Sequence, residues 1–131
     1  MYPEGKWDMI NLVVADHDRD RRNEFSQKLL SMFPGSVLYL YGDSMGVIGC
    51  LRDHQVDAVF IEATLEEMEG VQLLIELRER YPELPVFLLA DNDAYEDDAI
   101  WNDATGYLIR PISEEELKNT MQENFCTGQR P

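Results

Sequence analysis

The sequence predicts an α/β fold in which a five-stranded parallel sheet is covered by helices on both faces. Three observations carry that expectation. Five short apolar runs recur along the chain, each followed by a stretch with apolar residues at helical spacing. The runs are mostly apolar from end to end, as strands buried on both faces are. A helix-length segment separates each run from the next, which is the connection that parallel neighbours require.

The first run, "MINLVVA" (Met9–Ala15), is interrupted only by Asn11. Beyond it Phe25, Leu29, Met32 and Phe33 fall at i, i+4, i+7 and i+8, which predicts an amphipathic helix over Arg19–Phe33. Pro34-Gly35 stops it. "VLYLY" (Val37–Tyr41) is the second strand, and Val47, Cys50, Leu51 and His54 outline a second helix that Gly46 and Gly49 weaken. "AVFIE" is the third strand; Val71, Leu74, Ile75 and Arg78 mark the third helix, and "YPELP" ends it. "VFLLA" (Val86–Ala90) is the fourth strand, followed by a short, poor helix in "YEDDAIWND". "GYLIR" is the fifth strand, broken by Pro111. Ser113 with Glu116 three residues on is a capping box opening Glu114–Asn124, with Leu117, Met121 and Phe125 as its buried stripe.

Right-handed crossovers and short loops favour the flavodoxin-like doubly wound order 2-1-3-4-5 for such a (βα)5 chain. The 131 residues are expected to form a single domain, with a core at about 9–125 and frayed tails. Twenty-six acids against 11 bases give a net charge of −15, which disfavours direct contact with nucleic acid or an anionic membrane. No apolar run approaches the ~20 residues of a membrane span, and the N-terminus lacks the pattern of a signal peptide. Cys50 and Cys126 stand at no metal-ligand spacing, consistent with a reduced, cytoplasmic setting.

In a sheet of this order the working crevice lies beyond the carboxyl ends of the strands. The first strand delivers Asp16, His17 and Asp18 there, the third Glu62, the fourth Ala90 and Asp91, and the fifth Arg110. Four carboxylates so close need a cation, an arginine counter-charge or raised pKa values. Oxygen clusters suit Mg²⁺, so Asp16 and Glu62 are the candidate metal ligands, binding weakly or not at all beside Arg110. His17 lacks a second ligand at zinc spacing, and His54 reads as helix-terminal. Cys50 reads as a small core residue. Trp7 is expected to cover the lower edge of the sheet, and the run "EEMEG" to be a solvated loop.

"FIEATLEEMEG", "LPVFLLAD" and "GYLIRPISEEELK" resemble the third-, fourth- and fifth-strand motifs of response-regulator receiver domains, a likeness covering roughly residues 9–125. The most specific piece is "GYLIRPI", followed by the glutamate eight residues before Gly70. The resemblance implies that Glu62 occupies the position of the aspartate that accepts phosphate from a histidine kinase. It implies that the acid pair holding Mg²⁺ falls on Asp16 and His17, or, with the register moved by one, on Ala15 and Asp16. Ala90 replaces the hydroxyl that contacts phosphate, Arg110 replaces the lysine, and Tyr107 keeps the switch aromatic, as a rotamer switch or a fixed packing residue. A cis bond is implied before Pro111, and the Ala90-to-Tyr107 connection is slightly short for the family.

Four departures in one site point to an atypical receiver, or pseudo-receiver, that acts without the aspartyl-phosphate cycle. Glu62 is a methylene longer than aspartate and would mimic part of a phosphorylated state while pairing with Arg110. The chain is then not an enzyme. It would be the regulatory part of a two-component or phosphorelay-type signalling or transcription-control protein, whose partner is another protein or an output domain. The alternatives are a phosphorylatable Mg²⁺-dependent receiver and a small-ligand module for a nucleotide or flavin. The last lacks a Gly-rich phosphate loop after the first strand. The partner face is expected at the fourth helix, fifth strand and fifth helix, with Tyr95, Ile100, Trp101 and Tyr107 as anchors among acids that favour a monomer or weak dimer.

Overall fold

A computed structural model describes residues 9–65 and 68–125, the side chain of Phe125 excepted. Trp7, Cys126, the C-terminal "TGQRP" and the Glu66-Glu67 part of the loop after the third strand lie outside the described residues. Ten elements alternate as β1 (Asn11–Ala15), α1 (Arg19–Met32), β2 (Val37–Tyr41), α2 (Ser44–Asp53), β3 (Ala58–Glu62), α3 (Gly70–Arg80), β4 (Val86–Ala90), α4 (Glu96–Trp101), β5 (Gly106–Ile109) and α5 (Glu114–Phe125). The strands form one parallel sheet in the order β2-β1-β3-β4-β5, the expected doubly wound arrangement. The Arg110–Pro111 bond is cis, as expected.

Strand alternation sorts the core into two layers. Leu12, Val14, Phe60, Phe87 and Leu89 face α1 and α5, where they meet Leu29, Phe33, Leu117 and Met121. Val13, Ala15, Val59, Ile61 and Leu88 face the other way, onto Val47 and Cys50 of α2, three leucines of α3 and Ala99 of α4. Phe60 and Phe87 stack at 5.1 Å, and Phe25 meets Phe60 edge-on at 5.4 Å. Cys50 is a free, buried thiol in the second layer. His54 caps α2 and lies 4.9 Å from the Tyr39 ring. Among the described residues no helix is long and apolar enough to cross a membrane.

Several expectations need correction. The inward stripe of α3 is Leu73, Leu74 and Leu77, whereas Ile75 is exposed and Val71 half-buried. The helix is turned by its first residue, because Gly70 abuts the end of β3 and sends positions three, four and seven further on into the core. Arg78 is not part of that stripe. Its guanidinium donates to the carbonyls of Leu84 and Asp103 at 2.6 and 2.7 Å, tying the end of α3 to the loops flanking β4 and α4. Strand β1 starts at Asn11, since Met9 has a φ of 65° and is exposed. Strand β5 ends at Ile109, one residue before Arg110. Helix α1 ends at Met32, with Phe33 as its C-cap.

Gly70 is the contact that sets the loop after Glu62. Its amide donates to the Ala63 carbonyl at 2.9 Å, and a Cβ there would lie 2.5 Å from the Glu62 carbonyl oxygen and 2.9 Å from Ala63 Cα. Those neighbours are backbone and have little room to give. Gly70→Ala is expected to lower stability by about 1–3 kcal/mol through that clash. Urea denaturation checks this, and an unchanged midpoint would show that the β3–α3 contact is softer than its geometry implies.

Candidate functional site: a carboxylate pair clamped by arginines

The site forms where β1, β3 and β5 end and α1 begins. Glu62 is the last residue of β3 and is only 2% exposed. Arg110, just past β5, donates Nη2–H to Glu62 Oε1, and Thr64 donates its hydroxyl to Oε2 at 2.9 Å. Both carboxylate oxygens are therefore engaged. The Glu62–Arg110 pair expected from the sequence is present.

Asp16 follows β1 and is 3% exposed. It pairs with Arg21, which sequence reasoning missed. Arg21 Nε reaches Asp16 Oδ2 at 2.6 Å and Nη2 reaches Oδ1 at 2.7 Å, a bidentate fork. The same Nε lies 3.7 Å from Glu62 Oε1, so Arg21 bridges the two buried acids. The Asp18 amide donates to Asp16 Oδ1 at 2.9 Å, and Arg22 Nη1 to the Asp16 carbonyl at 2.7 Å. The hydrogen bonds it donates to Asp16 keep the Arg21 guanidinium strongly in its charged form, with the nearby Glu62 adding to the effect.

A signal for Arg21 was present in the sequence. Arg19, Arg21 and Arg22 crowd the first turn of α1, where the helix dipole favours acids, in a chain short of bases. A base at that end of a helix is better placed with a carboxylate beyond it, and for Arg21 that carboxylate is Asp16.

The other candidates divide by position. His17 sits on the exposed turn, with Nδ1 4.0 Å from Asp16 Oδ1, and does not join the buried group. The turn leaving β1 sends the Asp16 side chain inward and the His17 ring outward, while Ala15 packs in the core. Asp18 is exposed and caps α1 instead of facing Glu62, its side chain accepting from the Arg21 amide at 3.0 Å. That bond holds its carboxyl below the usual range, so the cap is present above ordinary carboxylate titration and is lost as pH falls through the lowered value. Asp91 stands at the rim, with Oδ1 3.5 Å from Arg110 Nε. Ala90 is buried at the end of β4 and offers no hydroxyl.

Tyr107 is half-buried on β5; its hydroxyl donates to the Asn92 carbonyl at 2.7 Å and accepts from the Tyr95 amide at 3.2 Å. Burial pushes the phenol above its ordinary value, with the Tyr95 amide opposing. Ile100 and Trp101 close α4 and are 70% and 89% exposed. Tyr95 is half-buried.

The residues present do not fit a Mg²⁺ cage. Magnesium needs octahedral oxygen ligands, and the oxygens of both Asp16 and Glu62 already accept from side chains on α1, just after β3 and just after β5. Among the described residues no group of three or more His, Cys, Asp or Glu is placed to hold a metal.

Removing Arg21 would leave Asp16 buried with only an amide partner. Arg21→Met is expected to destabilise the domain by about 2 kcal/mol or more, and Arg21→Lys by less, because an ammonium cannot reproduce the fork. Thermal and urea unfolding of the two variants check this. Equal stability of wild type and Arg21→Met would show that the pair is no more than a surface contact.

Comparison with known proteins places this geometry. The family profile described as the response regulator receiver domain matches residues 12–122. The chain is 37% identical over 110 residues to the probable transcriptional regulatory protein TcrX of Mycobacterium tuberculosis, a match covering 82% of this chain and 46% of that protein. It is 25% identical over 115 residues to the response regulator MprA of Mycobacterium sp. strain KMS, covering 86% and 49%. The chain thus spans about half the length of the curated relatives it matches. Among solved structures, the signal receiver domain of an HD domain-containing protein from Pseudomonas fluorescens Pf-5 superposes with a TM-score of 0.80 at 22% identity, covering 88% and 94% of the two chains. The receiver domain of the sensor histidine kinase PA1611 from Pseudomonas aeruginosa PAO1, solved with a magnesium ion in its active site cleft, gives 0.80 at 16% identity, covering 89% and 98%. The sheet order, the strand-end acids and the family match converge, and the chain belongs to the response regulator receiver domain family, the signal-receiving part of response regulators.

Proposed function

We propose that this chain is a receiver of the atypical kind, acting through protein–protein contact without an aspartyl-phosphate cycle. The observation that carries this reading is the engagement of Glu62 and Asp16 by Arg110 and Arg21. In-line phosphoryl transfer depends on a free nucleophile, a charge-neutralising cation and positioned donors. Here the strand-end acid is a glutamate with both oxygens occupied, and two guanidinium groups stand where a cation would act. The clamp would replace both metal and phosphate and hold the domain in one output state.

The relatives about twice as long as this chain suggest the context. The domain would regulate an output region or a separate protein in transcription control, in the cytoplasm, and its acidic surface argues against its touching nucleic acid itself. Tyr107 would act as a fixed strut, tying β5 to the loop before α4. Ile100 and Trp101, exposed beside Glu96, Asp97 and Asp98, form an apolar anchor in an acidic surround, suited to a basic or amphipathic segment. Those acids make a symmetric self-contact unfavourable, so the isolated domain would be a monomer or weak dimer.

Incubation with acetyl phosphate and Mg²⁺ is expected to leave the intact mass unchanged, and Mg²⁺ up to about 1 mM to leave the melting midpoint unmoved. A population heavier by one phosphoryl group would favour the other reading, a receiver that still runs the phosphorylation cycle. Trp101→Ala is expected to keep the circular dichroism spectrum and melting midpoint. Its affinity for the protein recovered on immobilised wild-type domain should fall by about 2 kcal/mol in a calorimetric titration. Unchanged affinity would move the partner face elsewhere.

A further inference from the structure

A cavity of about 410 Å³ opens beside the clamp, between α1 and the segment that follows β5. Its size lies within the range of small-molecule sites, roughly 300–1,000 Å³. Val14 and Leu89 on the α1 side of the sheet contribute apolar surface, and Phe25, Pro111 and Ile112 extend it. A concave apolar wall in water favours an apolar occupant.

The charges around it run against the rest of the molecule. Four bases and three acids line the cavity, in a chain with 26 acids and 11 bases. Arg21 and Arg110 are already matched by Asp16, Asp91 and the adjoining buried Glu62, and Glu24 is exposed at the edge. Arg22 and Lys28 are held by main-chain carbonyls instead, Arg22 Nη1 by Asp16 and Lys28 Nζ by Ile112, both at 2.7 Å. A carbonyl fixes a cation in place without cancelling its charge. Among the described residues neither side chain has a carboxylate within 4.0 Å.

From this combination we infer that the cavity is a binding site for a small organic anion with an apolar ring body, such as an aromatic carboxylate. The ring packs against Phe25, Leu89 and Ile112, and the anion faces Arg22 and Lys28. The site differs from a nucleotide or flavin site at a Gly-rich loop, because its cations come from the body of α1. It shares Arg21 and Arg110 with the clamp, so an occupant would bear on the residues that hold Glu62. The inference stands whether or not the chain can be phosphorylated.

The test uses the full chain labelled with ¹⁵N and three probes: 1-naphthoate, the near-isosteric neutral 1-naphthamide, and acetate. Saturable amide shifts are expected at Val14, Phe25, Leu89 and Ile112 with 1-naphthoate. Binding of 1-naphthamide and acetate should be weaker by about tenfold or more, because hydrogen bonds to charged groups carry that much affinity. Lys28→Met and Arg22→Gln should each weaken 1-naphthoate by about that factor and leave 1-naphthamide unchanged. Shifts that do not saturate, shifts centred on Ile100 and Trp101, or equal affinity for the acid and the amide would overturn the proposal. The wild-type spectra decide the location even if a variant folds poorly.

Discussion

Two carboxylates stand at the ends of the central strands with almost no access to water, and the electrostatics of that burial organise the rest of the site. An ion taken out of water loses several kcal/mol of solvation unless it is paired and its remaining lone pairs are filled. Asp16 and Glu62 meet that demand with two arginines from opposite sides, Arg21 on α1 and Arg110 after β5. The amide of Asp18 and the hydroxyl of Thr64 add one further hydrogen bond to each carboxylate. In the proposed reading, a carboxylate held by such donors is a poor nucleophile, because electron pairs that would attack serve as acceptors.

The clamp also lies where the helices and the sheet exchange position. Arg110 follows β5 directly, and its amide donates to the Ala90 carbonyl at 2.8 Å, so it is bound to the end of β4 as well. Three residues before it, Tyr107 reaches the Asn92 carbonyl and the Tyr95 amide, joining β5 to the loop that launches α4. The acid cluster and the exposed end of α4 are thus connected through one short strand. In the proposed reading that strand is the physical route by which the clamp and the partner face belong to one state.

Much of this was legible in the residues. Apolar runs without alternation gave away a doubly covered sheet, because a strand with helices on both faces has no polar side to show. Glu62 and Arg110 were visible as a pair because each stands at or just past the end of a strand, and parallel strands end on the same edge. The inward face of α3 was misread, since Ile75 and Val71 satisfy a helical period as well as Leu73 and Leu77 do. Periodicity reports that a stripe exists; the packing of Gly70 on the Glu62 carbonyl selects which stripe is used. His17 and Asp18 were grouped with the buried acids because both are near in sequence. One residue of turn is enough to send a side chain to the opposite side.

The sequence by itself determined the element order, the sheet order and the identity of the strand-end acids. These follow from local period and from the rules that parallel crossovers obey, which need no knowledge of distant contacts. Only the tertiary structure decided that Asp16 belongs to Arg21, that Arg21 spans both carboxylates, and that Arg22 and Lys28 line a cavity while held by main-chain carbonyls. A helix presents its bases around a full turn, and composition does not say which of them meets a carboxylate. The packing of α1 on the sheet does, with Leu29 and Phe33 buried in the core and Phe25 against it.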